Sequence, residues 1–161
     1  KMESWRKIAD EIKDDVQQGN NVGFLTLGDP SVYSTFSYLA DILIPVIDVQ
    51  TIAGISSFSQ IAASLSIPLM LDEESLEVVP ATADKEKLAK VIDLNDNVVI
   101  MKIATNFKKV YQILKERKLL DKTVIVENAS MANQRVQRLT EYAADDQLPY
   151  FSTALLKKKE A

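Results

Sequence analysis

The chain opens with apolar residues at the spacing of a helix. Trp5, Ile8, Ile12 and Val16 lie three or four positions apart with charged residues between them, which predicts an amphipathic helix. Gly19 follows the last of these apolar positions, where a glycine commonly caps the carboxyl end of a helix.

Two short apolar runs then predict buried strands, each followed by a tight loop. Residues 21–27 run directly into Gly28, Asp29 and Pro30, and residues 46–52 run into a small-residue loop at 53–57. Turn residues of this kind end strands. The intervening patterns predict two helices, one opened by Ser31 and one over residues 58–65.

The second half of the chain alternates more regularly between strand and helix patterns. Near-continuous apolar runs predict four strands, at residues 75–80, 97–103, 123–127 and 150–156. Helical spacing predicts three helices between them, over residues 85–92, 107–114 and 134–143. Such alternation indicates an α/β protein with parallel or mixed sheets flanked by helices. The acidic stretch at 71–74 suggests two domains, 1–72 and 73–161.

Composition and charge exclude several classes of function. The 161 residues carry 19 Lys and Arg against 23 Asp and Glu, a formal net charge of −4, with 47% apolar and 26% charged residues. This composition indicates a globular protein that does not bind nucleic acid. No apolar run approaches a membrane span and no signal peptide is visible, so we expect a cytoplasmic protein.

The sequence contains neither cysteine nor histidine. This excludes disulfides, Cys or His metal sites, thiolate nucleophiles and imidazole acids or bases. Any chemistry must use carboxylates, amines, hydroxyls, backbone groups or a cosubstrate.

Four loops could carry a ligand site, because ligands of open α/β sheets gather beyond the carboxyl ends of strands. They are the Gly28-Asp29-Pro30 loop, residues 53–57, the end of the strand at Met101 and Lys102, and residues 127–131. Taken alone, the first two have simpler interpretations as a structural turn and a helix N-cap. The sequence has no P-loop, no GxGxxG fingerprint and no metal-ligand cluster, which disfavours ATPases, standard Rossmann dehydrogenases and zinc enzymes.

Five segments together resemble the tetrapyrrole methylase family. They are GFLTLGDPSVYSTFSY at 23–38, GISSF at 54–58, SLEVVPAT at 75–82, VVIMKIATNF at 98–107 and PYFS at 149–152. The resemblance implies two α/β domains with S-adenosylmethionine as cosubstrate in the cleft between them, a homodimer, and methyl transfer to a tetrapyrrole. It is greatest to members that methylate carbon 20 of precorrin-2 or cobalt-precorrin-2 in cobalamin (vitamin B12) biosynthesis.

The resemblance also implies which residues would bind the cosubstrate. The family's GDP loop corresponds to Gly28, Asp29 and Pro30, with Tyr33 close behind, and its GISS loop contributes Ser56 and Ser57. Met101 corresponds to a methionine that lines the cosubstrate. Ala129, together with Thr153 or Ala154, would lie on the adenine side. No catalytic residue is assigned, because the sequence does not identify a proton acceptor.

Two departures from the family pattern keep other interpretations open. Ala53 stands where the family has proline, and the family's initial strand and GxGPGD-type loop have no counterpart in these residues. The alternatives are therefore a non-catalytic fragment or dimerisation portion of such an enzyme, or a sister methylase acting at another corrin position or on diphthine. A polycarboxylate substrate would require a local basic patch. The candidate residues are Lys102, Lys108, Arg135 and Arg138, although each is also accounted for as an ordinary solvent-exposed charge.

Overall fold

The computed structural model describes residues 2–159. The chain divides into two compact units, Lys1–Ser56 and Ser57–Ala161, which we call unit 1 and unit 2. The sequence pattern placed a domain boundary after residue 72, and that boundary stays a prediction.

Unit 1 is built around two helices, α1 (Met2–Gln17) and α2 (Phe36–Leu43). Ala9 of α1 and Leu39 and Leu43 of α2 are buried against each other. The first helix is confirmed, and Gly19 follows it with a positive φ of 88° while its N–H donates to the Val16 carbonyl at 2.9 Å.

The two strands predicted in unit 1 are wrong. Residues 21–27 and 46–52 form no ladder with any described residue, and the side chains of Leu25 and Ile52 are 94% and 79% exposed. A strand persists only when a neighbour accepts and donates its backbone hydrogen bonds. Within residues 2–159 no neighbouring strand is available to pair with either segment.

The second helix begins later than Ser31. Residues 29–32 form a turn in which the Val32 N–H donates to the Asp29 carbonyl at 3.1 Å. The Ser34 hydroxyl accepts the N–H of Phe36, the first residue of α2, at 3.2 Å. These local bonds delay the helix to Phe36, because side-chain oxygens compete with the helical ladder for backbone donors.

Unit 2 contains a five-stranded sheet with the order β1-β2-β5-β3-β4. Only β1 and β2 are parallel, and the remaining pairs are antiparallel. The predicted α/β class with a mixed sheet flanked by helices is confirmed. In chain order the elements are α3 (Ser57–Ser64), β1 (Leu76–Pro80), α4 (Lys85–Leu94), β2 (Asn97–Met101), α5 (Phe107–Glu116), β3 (Thr123–Glu127), β4 (Arg135–Arg138) and β5 (Ser152–Lys157).

Helices cover both faces of this sheet. On one face, Leu88 of α4 and Ile113 of α5 are fully buried with Ile100 of β2. On the other face, Ile61 of α3 packs on Val99 and neighbouring residues. Successive residues of β2 therefore enter opposite cores, as the two-residue period of a strand requires. None of the helices formed by residues 2–159 is long and apolar enough to cross a membrane.

Two sequence predictions in unit 2 are corrected. The helix predicted over 134–143 is instead β4 followed by a 3-10 helix, Leu139–Glu141, because Val136 pairs with Val126 at the edge of the sheet. The strand predicted over 97–103 ends at Met101. Lys102 adopts a positive φ of 56° and a 3-10 helix follows at Ile103–Asn106, since a left-handed residue cannot continue a ladder.

Candidate functional site

The Gly28-Asp29-Pro30 segment of unit 1 forms a turn organised by one carboxylate. Oδ1 of Asp29 accepts the Ser31 N–H at 2.8 Å and also the Ser31 hydroxyl, which is an Asx turn. Oδ2 accepts the N–H of Gly54, 25 positions further along the chain, at 3.2 Å. Asp29 thus joins the first predicted site loop to the second.

These contacts lower the pKa of Asp29 below its ordinary value of 3.8, the largest cause being the hydrogen bond from the Ser31 side chain, followed by that from the Ser31 backbone. The carboxylate is therefore ionised at neutral pH. Each carboxylate oxygen can accept two hydrogen bonds, so Oδ2, which accepts one from Gly54, retains capacity for a ligand donor.

Two glycines make this close approach possible. Gly28 has a positive φ of 74°, a conformation that L side chains rarely adopt. A Cβ added to Gly54 would lie 2.1 Å from the Gly28 carbonyl oxygen and 2.9 Å from its carbonyl carbon. The backbones of the two loops are in contact there, and only glycine at position 54 permits it.

The other predicted residues of unit 1 lie on either side of this contact. Tyr33 follows the turn with a positive φ of 49° and an exposed side chain. Ser56 is the final residue of unit 1 and is half-buried. Ser57 belongs to unit 2, where it is the first residue of α3. The structure thus brings Gly28, Asp29 and Gly54 together.

In unit 2, three predicted residues lie at the same end of the sheet, where β2 and β3 finish and β5 begins. Met101 is the last residue of β2, and Ala129 lies two positions beyond the end of β3. Both are half-buried against the same apolar cluster as Ile61. Thr153, 7% exposed, lies at the start of β5 opposite Val126. Because β5 is antiparallel to both neighbours, its start lies beside their carboxyl ends.

Ala154 occupies a different position from Thr153. It is fully buried and packs in the core beneath α4 and α5, and its backbone pairs with Ile100 and Ile125. Since neighbouring strand residues point to opposite faces, Thr153 shares the face of Met101 and Ala129, whereas Ala154 faces away from it.

The sequence places Glu127 in the candidate loop at 127–131 but predicts neither its burial nor its partners. Glu127, at the end of β3, is 3% exposed, accepts the Tyr142 hydroxyl at 2.9 Å and lies 3.5 Å from a guanidinium nitrogen of Arg135. Burial, followed by this hydrogen bond, raises the pKa of Tyr142. The sequence feature that could have indicated this buried carboxylate is a glutamate at the end of an otherwise apolar strand, TVIVE. The pair fixes the start of the loop in which Asn128 and Ser130 have positive φ values.

The predicted basic residues are engaged with neighbours in unit 2. Lys108 forms an ion pair with Asp145 at 2.7 Å. Arg138 donates to the Asp121 carbonyl at 2.6 Å, and Arg135 lies beside Glu127. Lys102 is exposed just after β2. Within residues 2–159, no group of three or more acidic side chains could hold a metal ion.

Replacing Gly54 tests the contact between the two loops. In Gly54→Ala the new methyl group meets the Gly28 carbonyl, so we expect unit 1 to lose about 1–3 kcal/mol of unfolding free energy, as overpacked sites do. Gly23→Ala is the matched control, because a Cβ there meets nothing within 4 Å. Denaturant unfolding followed by fluorescence of Trp5, the single tryptophan, reports on unit 1. Equal stability of the two variants would contradict the contact.

Replacing Ser31 tests the origin of the Asp29 pKa. In Ser31→Ala the hydroxyl donor is lost while the backbone donor remains, so the pKa of Asp29 should rise towards 3.8. A depressed pKa stabilises the fold above the unfolded-state pKa, and this contribution is lost as pH falls through the folded-state pKa. Carbon-13 NMR titration of the Asp29 carboxyl measures the shift. Ser34→Ala, whose hydroxyl instead accepts from Phe36, should leave the titration unchanged.

Comparison with known proteins shows to which family this chain is similar. The family model "Tetrapyrrole (Corrin/Porphyrin) Methylases" matches residues 1–145. The cobalt-precorrin-2 C(20)-methyltransferase of Salmonella typhimurium is 31% identical over 156 residues, covering 96% of this chain and 66% of that protein. The chain thus spans just under two thirds of that relative's length.

Solved structures share the fold at low sequence identity. A cobalt precorrin-4 methyltransferase superposes with a TM-score of 0.80 at 16% identity, covering 95% of this chain and 70% of that one. A uroporphyrin-III C-methyl transferase from Thermus thermophilus, complexed with S-adenyl homocysteine, gives a TM-score of 0.59 at 18% identity, covering 81% and 63%. With the family model matching nine tenths of its residues, this chain belongs to the tetrapyrrole methylase family.

Proposed function

We propose that this protein is a methyltransferase that binds S-adenosylmethionine and methylates carbon 20 of precorrin-2 or cobalt-precorrin-2 in cobalamin biosynthesis. Tetrapyrrole methylases use S-adenosylmethionine as methyl donor. The observation that carries the proposal is the Asp29 turn, in which an ionised carboxylate and exposed backbone lie at the junction of the GDP and GISS loops.

The residues of unit 1 fit a hydroxylated, cationic cosubstrate. A Cβ on Gly28 would meet one atom, the Ile55 carbonyl oxygen at 3.5 Å, so the backbone there is open to a ligand. Asp29 offers an acceptor for a ribose hydroxyl or an electrostatic partner for a cation. We assign to Gly28, Asp29 and Pro30 the role of holding the cosubstrate, with Tyr33 and Ser56 beside them.

The residues of unit 2 fit a flat, largely apolar group. Met101 is flexible and polarisable, which suits packing against a ring, and Ala129 leaves room beside it. We propose that Met101, Ala129 and Thr153 contact the adenine portion, and that Ser57 binds near the methionine or ribose portion. The orientation of Ala154 makes Thr153 the better candidate of the two β5 residues.

The chemistry requires positioning more than it requires reactive side chains. A sulfonium cosubstrate would supply an activated methyl group: the acceptor carbon would form a new C–C bond to it in line with the breaking C–S bond, the sulfur would leave with the bonding electron pair, and the acceptor carbon would then lose its proton to water or a carboxylate. The chain's own residues would align donor and acceptor carbon and exclude water, the effects that dominate such reactions. A protein without histidine or cysteine is suited to this task.

The position of methylation is supported by how much of the chain is matched rather than by identity. Two C(20)-methyltransferases at 31% and 32% identity each match 96% of this chain, whereas a cobalt-precorrin-4 C(11)-methyltransferase at 31% identity matches 83%. A second candidate function follows from length. Because the chain spans 66% of its relative, these residues could instead be a portion that binds cosubstrate, or forms a homodimer, without turnover.

Cosubstrate binding can be measured directly. We expect S-adenosylhomocysteine to bind in isothermal titration calorimetry, and Asp29→Asn to weaken binding roughly tenfold, about 1.4 kcal/mol of binding free energy. The substitution keeps an acceptor for Ser31 and removes the charge. Asp41→Asn, on the exposed face of α2, is the matched control. Absence of binding by the unmodified chain would contradict the proposal, and lost stability with unchanged affinity would make the turn purely structural.

A product assay determines the methylated carbon. Incubation of precorrin-2 or cobalt-precorrin-2 with carbon-13 methyl-labelled S-adenosylmethionine should add one methyl group by mass and one labelled signal at C20 by NMR. Labelling at another carbon, or turnover of precorrin-4 in preference, would identify a sister methylase. Cosubstrate binding without any product would support the non-catalytic alternative.

A further inference from the structure

The loop that connects β3 to β4 adopts a conformation that needs support from its neighbours. It covers residues 128–134, and we call it the β3–β4 loop. Asn128 and Ser130 have positive φ values of 51° and 65°, in a region that residues with a side chain seldom adopt. Each such residue raises the free energy of the folded loop, and it persists only where surrounding contacts fix it. The contacts around the loop therefore indicate what selects its conformation.

One contact within the loop depends on the identity of a side chain. The amide oxygen of Gln134 accepts the Ser130 N–H at 2.7 Å, although the Gln134 side chain is otherwise exposed. Backbone bonds support the rest of the loop: the Asn128 N–H donates to the Phe151 carbonyl at 2.7 Å, and the Met131 N–H donates to the Asn128 carbonyl at 3.0 Å. Most residue types could make these backbone bonds, whereas the bond to Ser130 requires an acceptor on the side chain at position 134.

A second pair of side chains fixes the point where the loop begins. The buried Glu127 carboxyl accepts the Tyr142 hydroxyl at 2.9 Å, and its other oxygen lies 3.5 Å from Arg135. The Tyr142 ring packs edge-to-face on Phe107, with the ring centroids 5.8 Å apart. A phenylalanine at position 142 would fill the same space, so the hydroxyl contributes chiefly its bond to Glu127. A buried carboxyl with both oxygens engaged keeps one orientation, and the end of β3 is fixed with it.

The loop leaves the backbone of Ala129 unengaged. Among residues 2–159, neither the N–H nor the carbonyl of Ala129 forms a hydrogen bond, whereas the N–H groups of Asn128, Ser130 and Met131 all do. Ala129 is half-buried and packs on the apolar cluster of the α3 face, and half-buried backbone groups ordinarily have a partner. An open donor and acceptor beside an apolar surface suit a flat heterocycle that carries both kinds of group.

We propose that Gln134 and the Tyr142–Glu127 pair are positioning residues, which hold the β3–β4 loop in the conformation that presents Ala129 to the adenine portion of the cosubstrate. The inference rests on the proposed function, because it concerns the same site. Neither positioning contact reaches the cosubstrate itself: Gln134 acts through Ser130, and Tyr142 acts through Glu127. A loop that is fixed before binding loses less conformational freedom on binding. Removal of either contact should therefore lower the affinity for the cosubstrate.

Two substitutions of Gln134 test the first contact. Gln134→Met removes the acceptor at nearly the same side-chain length, and Gln134→Glu retains an acceptor. In calorimetric titration with S-adenosylhomocysteine, we expect Gln134→Met to bind at least ~5-fold more weakly than the unmodified chain, and Gln134→Glu to regain affinity to within ~2-fold of it. Gln112→Met, at an exposed glutamine of α5, is the matched control and should bind as the unmodified chain does. The Ser130 amide should exchange with solvent faster in Gln134→Met alone.

These measurements separate the positioning role from the proposed function. Absence of binding by the unmodified chain would overturn both. Binding by the unmodified chain with equal affinity in Gln134→Met would overturn the positioning role alone, and so would equal losses of affinity in Gln134→Met and Gln134→Glu. Faster exchange of the Ser130 amide without weaker binding would show that the contact serves only the stability of the loop.

Two tyrosine substitutions test the second contact. Tyr142→Phe removes the hydroxyl donor to Glu127 and keeps the ring on Phe107. Tyr111→Phe is the matched control, because the Tyr111 ring also contacts Phe107, at 5.9 Å between centroids. We expect at least ~3-fold weaker binding of S-adenosylhomocysteine in Tyr142→Phe and less than ~2-fold change in Tyr111→Phe, both measured below their melting temperatures. Equal affinities, with only a lower melting temperature in Tyr142→Phe, would overturn the role of the pair. If Tyr142→Phe does not fold, the variants of the exposed Gln134 decide the proposal.

Discussion

Unit 2 depends on the insertion of its last strand into the middle of its sheet. β2 and β3 do not pair with each other, and β5 hydrogen-bonds to both. Without β5 the sheet would fall into two separate pairs, β1-β2 and β3-β4. The strand also contributes to both cores, because Leu155 packs on the α3 face and Ala154 and Leu156 on the α4 and α5 face. Its antiparallel direction sets which residues share an edge, and so gathers Met101, Ala129 and Thr153.

Unit 1 holds its candidate site by a different and more local means. The Asp29 carboxylate organises its own turn through Ser31 and reaches Gly54 through one further hydrogen bond. Contact between the glycine backbones replaces side-chain packing at this point. Such an arrangement needs no sheet beneath it, since its donors and acceptors all lie within two short loops. The site geometry therefore persists where the flanking segments form no strands.

In unit 2, the sequence predicted the buried strands correctly, but it did not predict β4, the strand at the outer edge of the sheet. The runs that became β1, β2, β3 and β5 are near-continuous and apolar, a pattern that identifies strands covered on both faces. β4 reads RVQR, with one apolar residue, and its helical spacing was misleading. It is a strand because β3 offers a hydrogen-bonding edge, a long-range fact that local spacing does not contain. The Glu127–Tyr142 pair, 15 positions apart, was missed for the same reason.

The failed strand predictions in unit 1 have a different physical meaning. Residues 21–27 and 46–52 carry the apolar content of strands, but they form no ladder among the described residues, and the N–H groups of Val46 and Ile47 donate to the Leu43 carbonyl instead. The apolar pattern of a segment shows which side chains it can bury. A strand also requires a neighbouring strand to accept and donate its backbone hydrogen bonds, and the local sequence does not show whether one is present.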